Sequence, residues 1–369
     1  MKKRNSNQSP KQRVVRSEDR VTIGLDLGDK KSRYCVLGGN GNVVETGSVE
    51  TTKQKIVEKF GRMRRCRMAL EVGTHSPWLS RLLTSIGHEV IVANARQVQL
   101  ISASSRKDDR VDAETLARLA RVDPKLLRPI RHRSEEGQKD LAVIRVRATL
   151  VETRTMLINS ARGLAKAMGE RLPKCDADAM DVEKGESLPA EVRQMLAPLL
   201  EQVESVTEKI QQLDEEIEQI ARRKYPETEL LRQVKGVGVL IALTFVLTVE
   251  DRERFQKSRD VGCYVGLRPK RSESGEREPQ LGISKEGDIY LRKLLVQGAQ
   301  CILSRRGEDS DLKRWGLKLA GRGGKNAKKR AIVAVARKLA ILLHRLWVTG
   351  EVYEPLRSSS AGTAGKAAA

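Results

Sequence analysis

Four acidic residues have the types and spacing that suit metal-assisted chemistry on phosphates. Asp109 and Asp112 lie three positions apart at the start of a predicted helix, so their side chains share one face and repel each other. Asp26 lies within the strand-like run VTIGLDL, and Glu71 ends the strand-like run RMALE. A carboxylate inside a sheet is costly unless it is paired or bound to a metal. If the four side chains converge, divalent cations would offset their mutual repulsion.

Oxygen ligands without His or Cys favour Mg²⁺ or Mn²⁺. Two such ions can activate a nucleophile and stabilise the leaving oxygen of a phosphodiester. Each acid also has an ordinary explanation, because Asp109 and Asp112 could cap their helix and Glu71 could end a strand in water. Asp108 is an alternative to Asp109, since it lies four residues before Asp112. The hypothesis is therefore a metal site made by Asp26, Glu71, Asp109 and Asp112.

A second group of reactive side chains lies in the loop-like stretch GLRPKRSESGEREPQLGISKEGD and the helix-like residues that follow it. Ser272 and Ser274 stand among cations that could neutralise charge on a phosphate while a serine hydroxyl attacks it. A serine in a polar loop is ordinarily only solvated, so the residues alone leave both explanations open. The candidate phosphate contacts here and in the later run GRGGKNAKKR are Arg268, Lys270, Arg271, Arg277, Lys285, Arg292, Lys325, Lys328, Lys329 and Arg330.

The charge balance of the chain favours a polyanionic partner. Its 369 residues include 70 Lys and Arg against 48 Asp and Glu, a formal net charge of +22, and nucleic acid is the first candidate. Aromatic residues make up only 3% of the chain, so phosphate contacts should dominate over base stacking. The longest apolar run, VLIALTFVLTV, is much shorter than the ~20 residues of a membrane-spanning helix. We therefore expect no membrane partner.

Cysteine spacing and the start of the chain give further expectations. The five cysteines show no paired spacing, which indicates neither a zinc site nor a disulfide framework. The first 20 residues are basic and lack the apolar core of a signal peptide. We expect them to form a disordered basic arm on a cytoplasmic protein.

The acidic residues must be positioned by a sheet. Three short runs rich in β-branched residues, VTIGLDLGDK, SRYCVLGG and VVETGSVE, are separated by turn residues and predict a β-meander. Alternating helical and strand patterns follow up to about residue 94. This order predicts a mixed α/β sheet of the ribonuclease H-like type.

A heptad pattern predicts a coiled-coil arm after the sheet. Its apolar positions are spaced three and four residues apart, as in a helix-pairing seam: Leu196, Leu199, Val203, Val206, Ile210, Leu213, Ile217 and Ile220. We expect this seam to meet a second protomer. The alternative is an antiparallel hairpin with the long helix predicted at 134–168.

Several motifs together resemble the DEDD transposases of bacterial insertion sequences, which are relatives of the Piv invertase. They are GLDLGDK, MALEVGTHSPWL, RKDDRVDAETLA, LLRQVKGVGVLIAL and GLRPKRSESG with LGISKEGDIYLRKLLVQGA. The segments that match the family extend over roughly residues 21–350. The resemblance implies a RuvC-like α/β domain with four acidic metal ligands, a helical coiled-coil arm, and a mainly α-helical transposase domain with a nucleophilic serine. It also implies a recombinase guided by a bridge RNA that pairs with donor and target DNA.

Carried over position by position, the acidic ligands fall on Asp26, Glu71, Asp109 and Asp112, and the nucleophile falls on Ser274. Glu273 stands where the family often has a small residue, which leaves Ser272 as an alternative. The expected reaction is DNA strand exchange through a covalent phosphoserine. The expected assembly is a homo-oligomer, either a dimer or, in the complex that joins two DNAs, a tetramer.

The domain limits that follow are 1–20 for the basic arm, 21–168 for the RuvC-like domain, 169–225 for the linker and coiled coil, 226–350 for the transposase domain and 351–369 for a disordered tail. Two other functions remain possible on the residues alone. One is a RuvC-like metal nuclease in which water attacks, and the other is a non-catalytic organiser of DNA or RNA. The opening GLDLGDK also suits the phosphate hairpin of actin-like sugar kinases, but the second phosphate loop of that class is missing.

Overall fold

The computed structural model describes residues 21–94, 109–270 and 281–357, and for residues 109 and 110 it describes the backbone alone. The predicted basic arm and most of the predicted tail lie outside these ranges. Internal contacts divide the chain into two units, Met1–Glu135 and Glu136–Ala369, which are described separately below. The domain limits drawn from the sequence remain predictions.

The first unit contains the predicted mixed sheet. Its strands have the spatial order β3-β2-β1-β4-β5, with β1, β2 and β3 antiparallel and β4 and β5 parallel to β1. The strand bounds are Thr22–Asp26 for β1, Lys31–Leu37 for β2, Val43–Glu50 for β3, Arg67–Glu71 for β4 and Glu89–Ala93 for β5. A meander followed by crossover strands is the order that the sequence predicted.

Helices cover both faces of this sheet, because its strands carry apolar residues on both sides. Helix α1 (Lys53–Phe60) and helix α2 (Ser76–Ser85) pack on the face formed by alternate residues such as Ile23 and Leu70. Helix α3 (Asp109–Val122) packs on the opposite face through Leu116 and Ala120 against Ala69. The acidic pair at the start of α3 is thereby placed on the second face.

The backbone of α3 lies unusually close to β1 at Gly24. A Cβ atom built on Gly24 would lie 1.9 Å from the Ala113 carbonyl oxygen and 2.7 Å from the Ala117 nitrogen. Only a residue without a side chain permits this approach. Gly24 therefore fixes how closely the start of α3 can sit over the sheet.

The second unit begins with two long antiparallel helices, α4 (Glu135–Ala167) and α5 (Ala190–Lys224). Three side-chain contacts join the two helices. Successive contacts involve later residues of α4 and earlier residues of α5, as expected of an antiparallel pair. The contacts are Asp140 with Lys224 at 3.0 Å, Arg147 with Asp214 at 2.5 Å and Arg154 with Thr207 at 3.3 Å. This pairing is the intrachain hairpin that the sequence left as the alternative.

The predicted heptad seam divides into two stripes on α5. Leu196, Val203, Ile210 and Ile217 are buried, whereas Leu199, Val206, Leu213 and Ile220 are half-buried. The buried stripe is continued by Leu200, Thr207 and Ala221, which shifts it from the seam drawn on the sequence. A coiled coil between two protomers remains a prediction.

The rest of the second unit is a bundle of helices around one apolar core. Its helices are α6 (Glu227–Arg232), α7 (Val239–Val249), α8 (Val261–Tyr264), α9 (Ile289–Leu303), α10 (Asp311–Ala320) and α11 (Ala327–Thr349). Helix α7 is apolar all round, and nine of its eleven residues are buried, as expected of a central helix. Within the described ranges, no helix combines the length and the apolar character needed to cross a membrane.

Replacing Gly24 by alanine should destabilise the protein by about 1–3 kcal/mol, because the added methyl group overlaps the backbone of α3. Thermal or urea denaturation measures this change. The control is Gly163→Ala on α4, where nothing lies within 4 Å of the added atom. That variant should gain about 0.5–1 kcal/mol from helix propensity. Equal stability of Gly24→Ala and wild type would contradict the close packing of α3 on β1.

Candidate active site

Asp26 and Glu71 are the last residues of two adjacent parallel strands. Gly24 of β1 is in register with Ala69 of β4, and Leu25 with Leu70, so Asp26 and Glu71 occupy the next matched position. Side chains alternate along a strand, which puts both acids on the same face as Gly24 and Ala69. That is the face covered by α3. Both side chains are half-buried.

Asp112 joins these two acids from α3. It precedes Ala113, the residue whose carbonyl oxygen lies against Gly24. The pKa of Glu71 is raised, first by burial and second by the negative charge of Asp112. We name the edge of the sheet formed by Asp26, Glu71 and Asp112 the acidic edge. Three of the four predicted ligands, contributed by β1, β4 and α3, therefore lie in this region.

Asp109, the fourth predicted ligand, is the first residue of α3. It lies about one turn before Asp112, a spacing that places both residues on one helix face. The side chain of Asp109, like all of Asp108, lies outside the described part of the structure. Among the side chains that are described, no group of three or more His, Cys, Asp or Glu residues is close enough to form a metal site. The choice between Asp108 and Asp109 remains open.

The charge arrangement suits a hard divalent cation. A carboxylate whose pKa is raised by a neighbouring negative charge is stabilised when a cation binds in place of the proton, and oxygen ligands are the donors that Mg²⁺ and Mn²⁺ prefer. The raised pKa of Glu71 supplies this observation independently of the sequence pattern. The carboxylate oxygens of the acidic edge are therefore of the ligand type that hard divalent cations prefer.

The raised pKa of Glu71 also links the acidic edge to stability. The protonated form of Glu71 stabilises the folded state fully below the unfolded-state pKa, near 4.5. That contribution is lost as the pH rises from there through the higher folded-state pKa. At neutral pH the ionised Glu71 therefore costs stability, and a bound cation would offset this cost.

Two side chains at the same end of the sheet escaped the sequence analysis. His75 follows β4 by four residues and Asp29 follows β1 by three, and the His75 Nε2 atom lies 3.3 Å from Asp29 Oδ1. Trp78 donates its indole N–H to His75 Nδ1 at 3.1 Å. The available signal was that the loops after neighbouring parallel strands meet at one edge, but the sequence gives no indication of which loop residues pair.

The loop with the two candidate serines has a well-defined base. Ser272 and Ser274, with Arg271 and Arg277, lie outside the described residues. On either side of them, the backbone N–H of Lys270 donates to the Gly282 carbonyl at 2.9 Å, and that of Ser284 donates to the Arg268 carbonyl at 2.8 Å. We name the paired segments 266–270 and 281–285 the stem.

The stem is anchored to α9 and α4. Arg292 Nη1 donates to the carbonyl oxygens of Val265 at 3.0 Å and Glu286 at 2.6 Å. Asp288 caps α9 by accepting the N–H of Leu291 at 2.8 Å, and its other oxygen accepts a hydrogen bond from Arg145 of α4. Arg292 was predicted to contact phosphate, but one nitrogen of its guanidinium is already hydrogen-bonded to these two backbone carbonyl oxygens.

The remaining predicted phosphate contacts are on the surface. Lys285 is exposed and has a left-handed backbone conformation, with φ of 58°. Lys325, Lys328, Lys329 and Arg330 are exposed just before and within the first turn of α11. Within the described ranges, the three lysines of this group form no ion pair of 4 Å or less, so their charges are available to an anion.

Replacing Asp112 by asparagine should lower the pKa of Glu71, because the neighbouring negative charge is removed while the group stays buried. The pKa should still lie above the ordinary glutamate value, since burial is the larger cause. Carboxyl-carbon NMR titration of the metal-free protein measures it. The control is Glu114→Gln, which removes a charge from the same helix in an exposed pair with Arg118. The same fall in both variants would contradict the placement of Asp112 beside Glu71.

Two family profiles match the chain. A transposase profile of the DEDD type from the IS110 group covers residues 23–168, which include the acidic edge. A second profile, described as the transposase IS116/IS110/IS902 family, covers residues 228–314, which include the stem. Together the two matches cover parts of both structural units.

Full-length relatives agree with these profiles. The transposase for insertion sequence element IS1111A of Coxiella burnetii is 29% identical over 93% of this chain and 94% of its own length. A transposase of Sinorhizobium fredii is 28% identical over 91% and 86%, respectively, and a family 20 transposase of Pseudomonas aeruginosa is 27% identical over 90% and 98%. The chain belongs to the IS116/IS110/IS902 family of insertion-sequence transposases.

Proposed function

We propose that this transposase cuts and rejoins DNA strands through a covalent phosphoserine, with Ser274 as nucleophile and with Mg²⁺ or Mn²⁺ bound by Asp26, Glu71, Asp109 and Asp112. The observation that carries the metal part is the position of Asp26, Glu71 and Asp112 at one edge of the sheet, where Asp112 raises the pKa of Glu71. The serine part rests on the family motif around residue 274.

The acidic edge supplies a rigid set of ligands. Asp26 and Glu71 end hydrogen-bonded strands, and Asp112 is on a helix whose backbone packs directly on β1. Ligands on such elements hold their geometry better than ligands on loops. A divalent cation bound there would supply Lewis acidity and charge neutralisation at a phosphodiester. Asp109, one turn away on α3, would complete the set.

The proposed strand exchange conserves the number of phosphate ester bonds. The Ser274 hydroxyl oxygen forms a bond to phosphorus, the bond from phosphorus to one DNA oxygen breaks, and the proton of the serine leaves for solvent while the DNA oxygen gains one. The hydroxyl of another DNA end then attacks the phosphoserine, restores a phosphodiester and releases Ser274. Since one ester replaces another in each step, no external energy source is required.

Cations near the stem and on α11 would hold the DNA backbone. Arg268 and Lys285 belong to the stem itself, and Arg271 and Arg277 belong to residues 271–280, which also contain Ser272 and Ser274. The cluster at the start of α11 would track phosphates, which positions a duplex without reading its sequence. The α11 residues are Lys325, Lys328, Lys329 and Arg330.

Sequence selection would be delegated to RNA. The resemblance to bridge-RNA-guided recombinases suggests that a guide pairs with donor and target DNA, as base pairing reads sequence in other guided systems. The low aromatic content and the large positive charge support a protein that binds backbones more than bases. A homo-oligomer, dimeric or tetrameric, would bring the DNA ends together.

A water-dependent nuclease is the second candidate. The acidic edge is sufficient in principle for water to attack a phosphodiester, as in RuvC-like enzymes, without any serine. The two functions differ in their products. Strand exchange leaves a protein–DNA adduct as an intermediate, whereas hydrolysis leaves free nicks.

The variant Ser274→Ala should abolish the covalent protein–DNA adduct, because no hydroxyl remains to attack the phosphorus. The measurement is denaturing electrophoresis of the protein after incubation with labelled insertion-sequence ends, guide RNA and Mg²⁺. The matched control, Ser272→Ala, removes the neighbouring hydroxyl and should retain the adduct. Loss of the adduct in Ser272→Ala alone would move the nucleophile to Ser272. Metal-dependent nicks that persist without either serine would support the nuclease instead.

Magnesium should raise the melting temperature of the wild-type protein, because a ligand that binds only the folded state stabilises it. In Glu71→Gln this increase should shrink, since one anionic ligand is lost. The same variant should melt higher than wild type in EDTA at neutral pH, because the ionised Glu71 is destabilising there. The exposed Glu114→Gln variant is the control and should respond to magnesium as wild type does. An unchanged magnesium response in Glu71→Gln would contradict its role as a ligand.

A further inference from the structure

The pair formed by His75 and Asp29 joins the two loops that leave the acidic edge. Asp26 and Glu71 end β1 and β4, and Asp29 and His75 are the third and fourth residues after them. The two side chains meet at 3.3 Å. Because the parent strands are adjacent and parallel, this contact lies at the same end of the sheet as the proposed metal ligands.

The surroundings of His75 fix which ring nitrogen carries the proton. The indole N–H of Trp78 can only donate, so His75 Nδ1, at 3.1 Å from it, must be the acceptor. The neutral imidazole therefore carries its hydrogen on Nε2, which points to Asp29. His75 is thereby held as an uncharged hydrogen-bond donor.

The loop that carries His75 is held firmly. The Ser76 side chain donates to the Gly73 carbonyl at 2.8 Å, and its oxygen lies 2.8 Å from Nε2 of His132. The backbone N–H of Gly73 in turn donates to the Ser76 oxygen at 3.0 Å. Ser76 is fully buried. These bonds fix the start of α2, and with it the position of the His75 ring.

The contact with Asp29 is easily exchanged. Its length of 3.3 Å is above the usual range for a strong charge-assisted bond, and the Asp29 side chain is 91% exposed. His75 itself is 28% exposed. An oxygen from a bound molecule can therefore replace the Asp29 carboxylate at His75 Nε2 at little cost.

We propose that His75 is a catalytic residue of the DNA reaction, whose Nε2–H donates a hydrogen bond to a non-bridging oxygen of the phosphodiester held at the acidic edge. The inference rests on the proposed function, because it takes that edge as the place where a phosphodiester reacts. A phosphate beside several carboxylates is repelled unless donors face it, and a fixed donor to an oxygen that gains charge favours the transition state. In the absence of DNA, the Asp29 carboxylate accepts the hydrogen bond from His75 Nε2.

The test compares His75→Ala, His75→Gln and Asp29→Ala in single-turnover DNA cleavage with saturating DNA and Mg²⁺. Loss of one preorganised donor commonly slows an enzyme by about 10²–10³-fold, and we expect His75→Ala to fall in that range. His75→Gln retains an N–H donor near the same place and should recover at least about tenfold of this loss. Asp29→Ala should stay within about twofold of wild type, because the DNA oxygen replaces that carboxylate. Unchanged melting temperatures and DNA affinities would exclude a purely structural effect.

Two kinetic outcomes would overturn the proposal. One is cleavage by His75→Ala at the wild-type rate. The other is a loss in Asp29→Ala as large as that in His75→Ala, which would show that the hydrogen bond between His75 and Asp29 matters and the donor to DNA does not.

A second measurement separates this inference from the proposed function. In protein labelled with ¹⁵N on its imidazoles, saturating DNA should move the Nε2 signal of His75. The signal of His88 should stay in place, because that ring is buried and its Nε2 lies 3.1 Å from the Phe60 carbonyl oxygen. A His75 signal that does not respond to DNA overturns the inference, whether or not the wild-type protein cleaves. Absence of cleavage by wild type with a responding His75 would overturn the strand-exchange function alone.

Discussion

The contact between the backbone of α3 and Gly24 of β1 is the constraint on which the acidic edge depends. The helix can lie this close only because residue 24 has no side chain. Asp112 is one residue from the point of contact, and its charge is felt by Glu71 on the neighbouring strand. Any lateral shift of α3 would separate the two carboxylates. The packing of α3 on β1 therefore also brings Asp112 towards Glu71.

This arrangement holds the carboxylates of Glu71 and Asp112 close together, and their repulsion lowers the stability of the folded protein. The ionised Glu71 is both half-buried and close to Asp112, so the metal-free protein is less stable at neutral pH than it would be with a neutral side chain there. A divalent cation bound by these carboxylates, as proposed above, would reverse the balance. Burying like charges close together lowers the stability of a protein, and functional sites commonly accept such a loss of stability in return for activity.

The sequence predicted the sheet and its acids because both depend on local pattern. Alternation in the sequence placed Asp26 within the first strand and Glu71 at the end of its strand, whereas the structure ends β1 at Asp26. The partner of the heptad seam could not be predicted, since the same apolar stripe can pack on α4 or on a second protomer. His75 was missed because its partner Asp29 lies in another loop, 46 positions away in the chain. Arg292 was counted as a free charge because the sequence does not show which backbone carbonyls a guanidinium holds. The assignment of Ser274 as the nucleophile rests on the resemblance of its motif to the family.

The stem has a consequence for how this family can vary. Backbone hydrogen bonds join the segments that flank residues 271–280. At the end of the stem away from those residues, Arg292 of α9 bonds to the Glu286 carbonyl, and Asp288 accepts a hydrogen bond from Arg145 of α4. The register of the helices on either side is therefore independent of how many residues lie between Lys270 and Leu281. The helical bundle can therefore accept insertions or deletions in that segment without a change in its own packing.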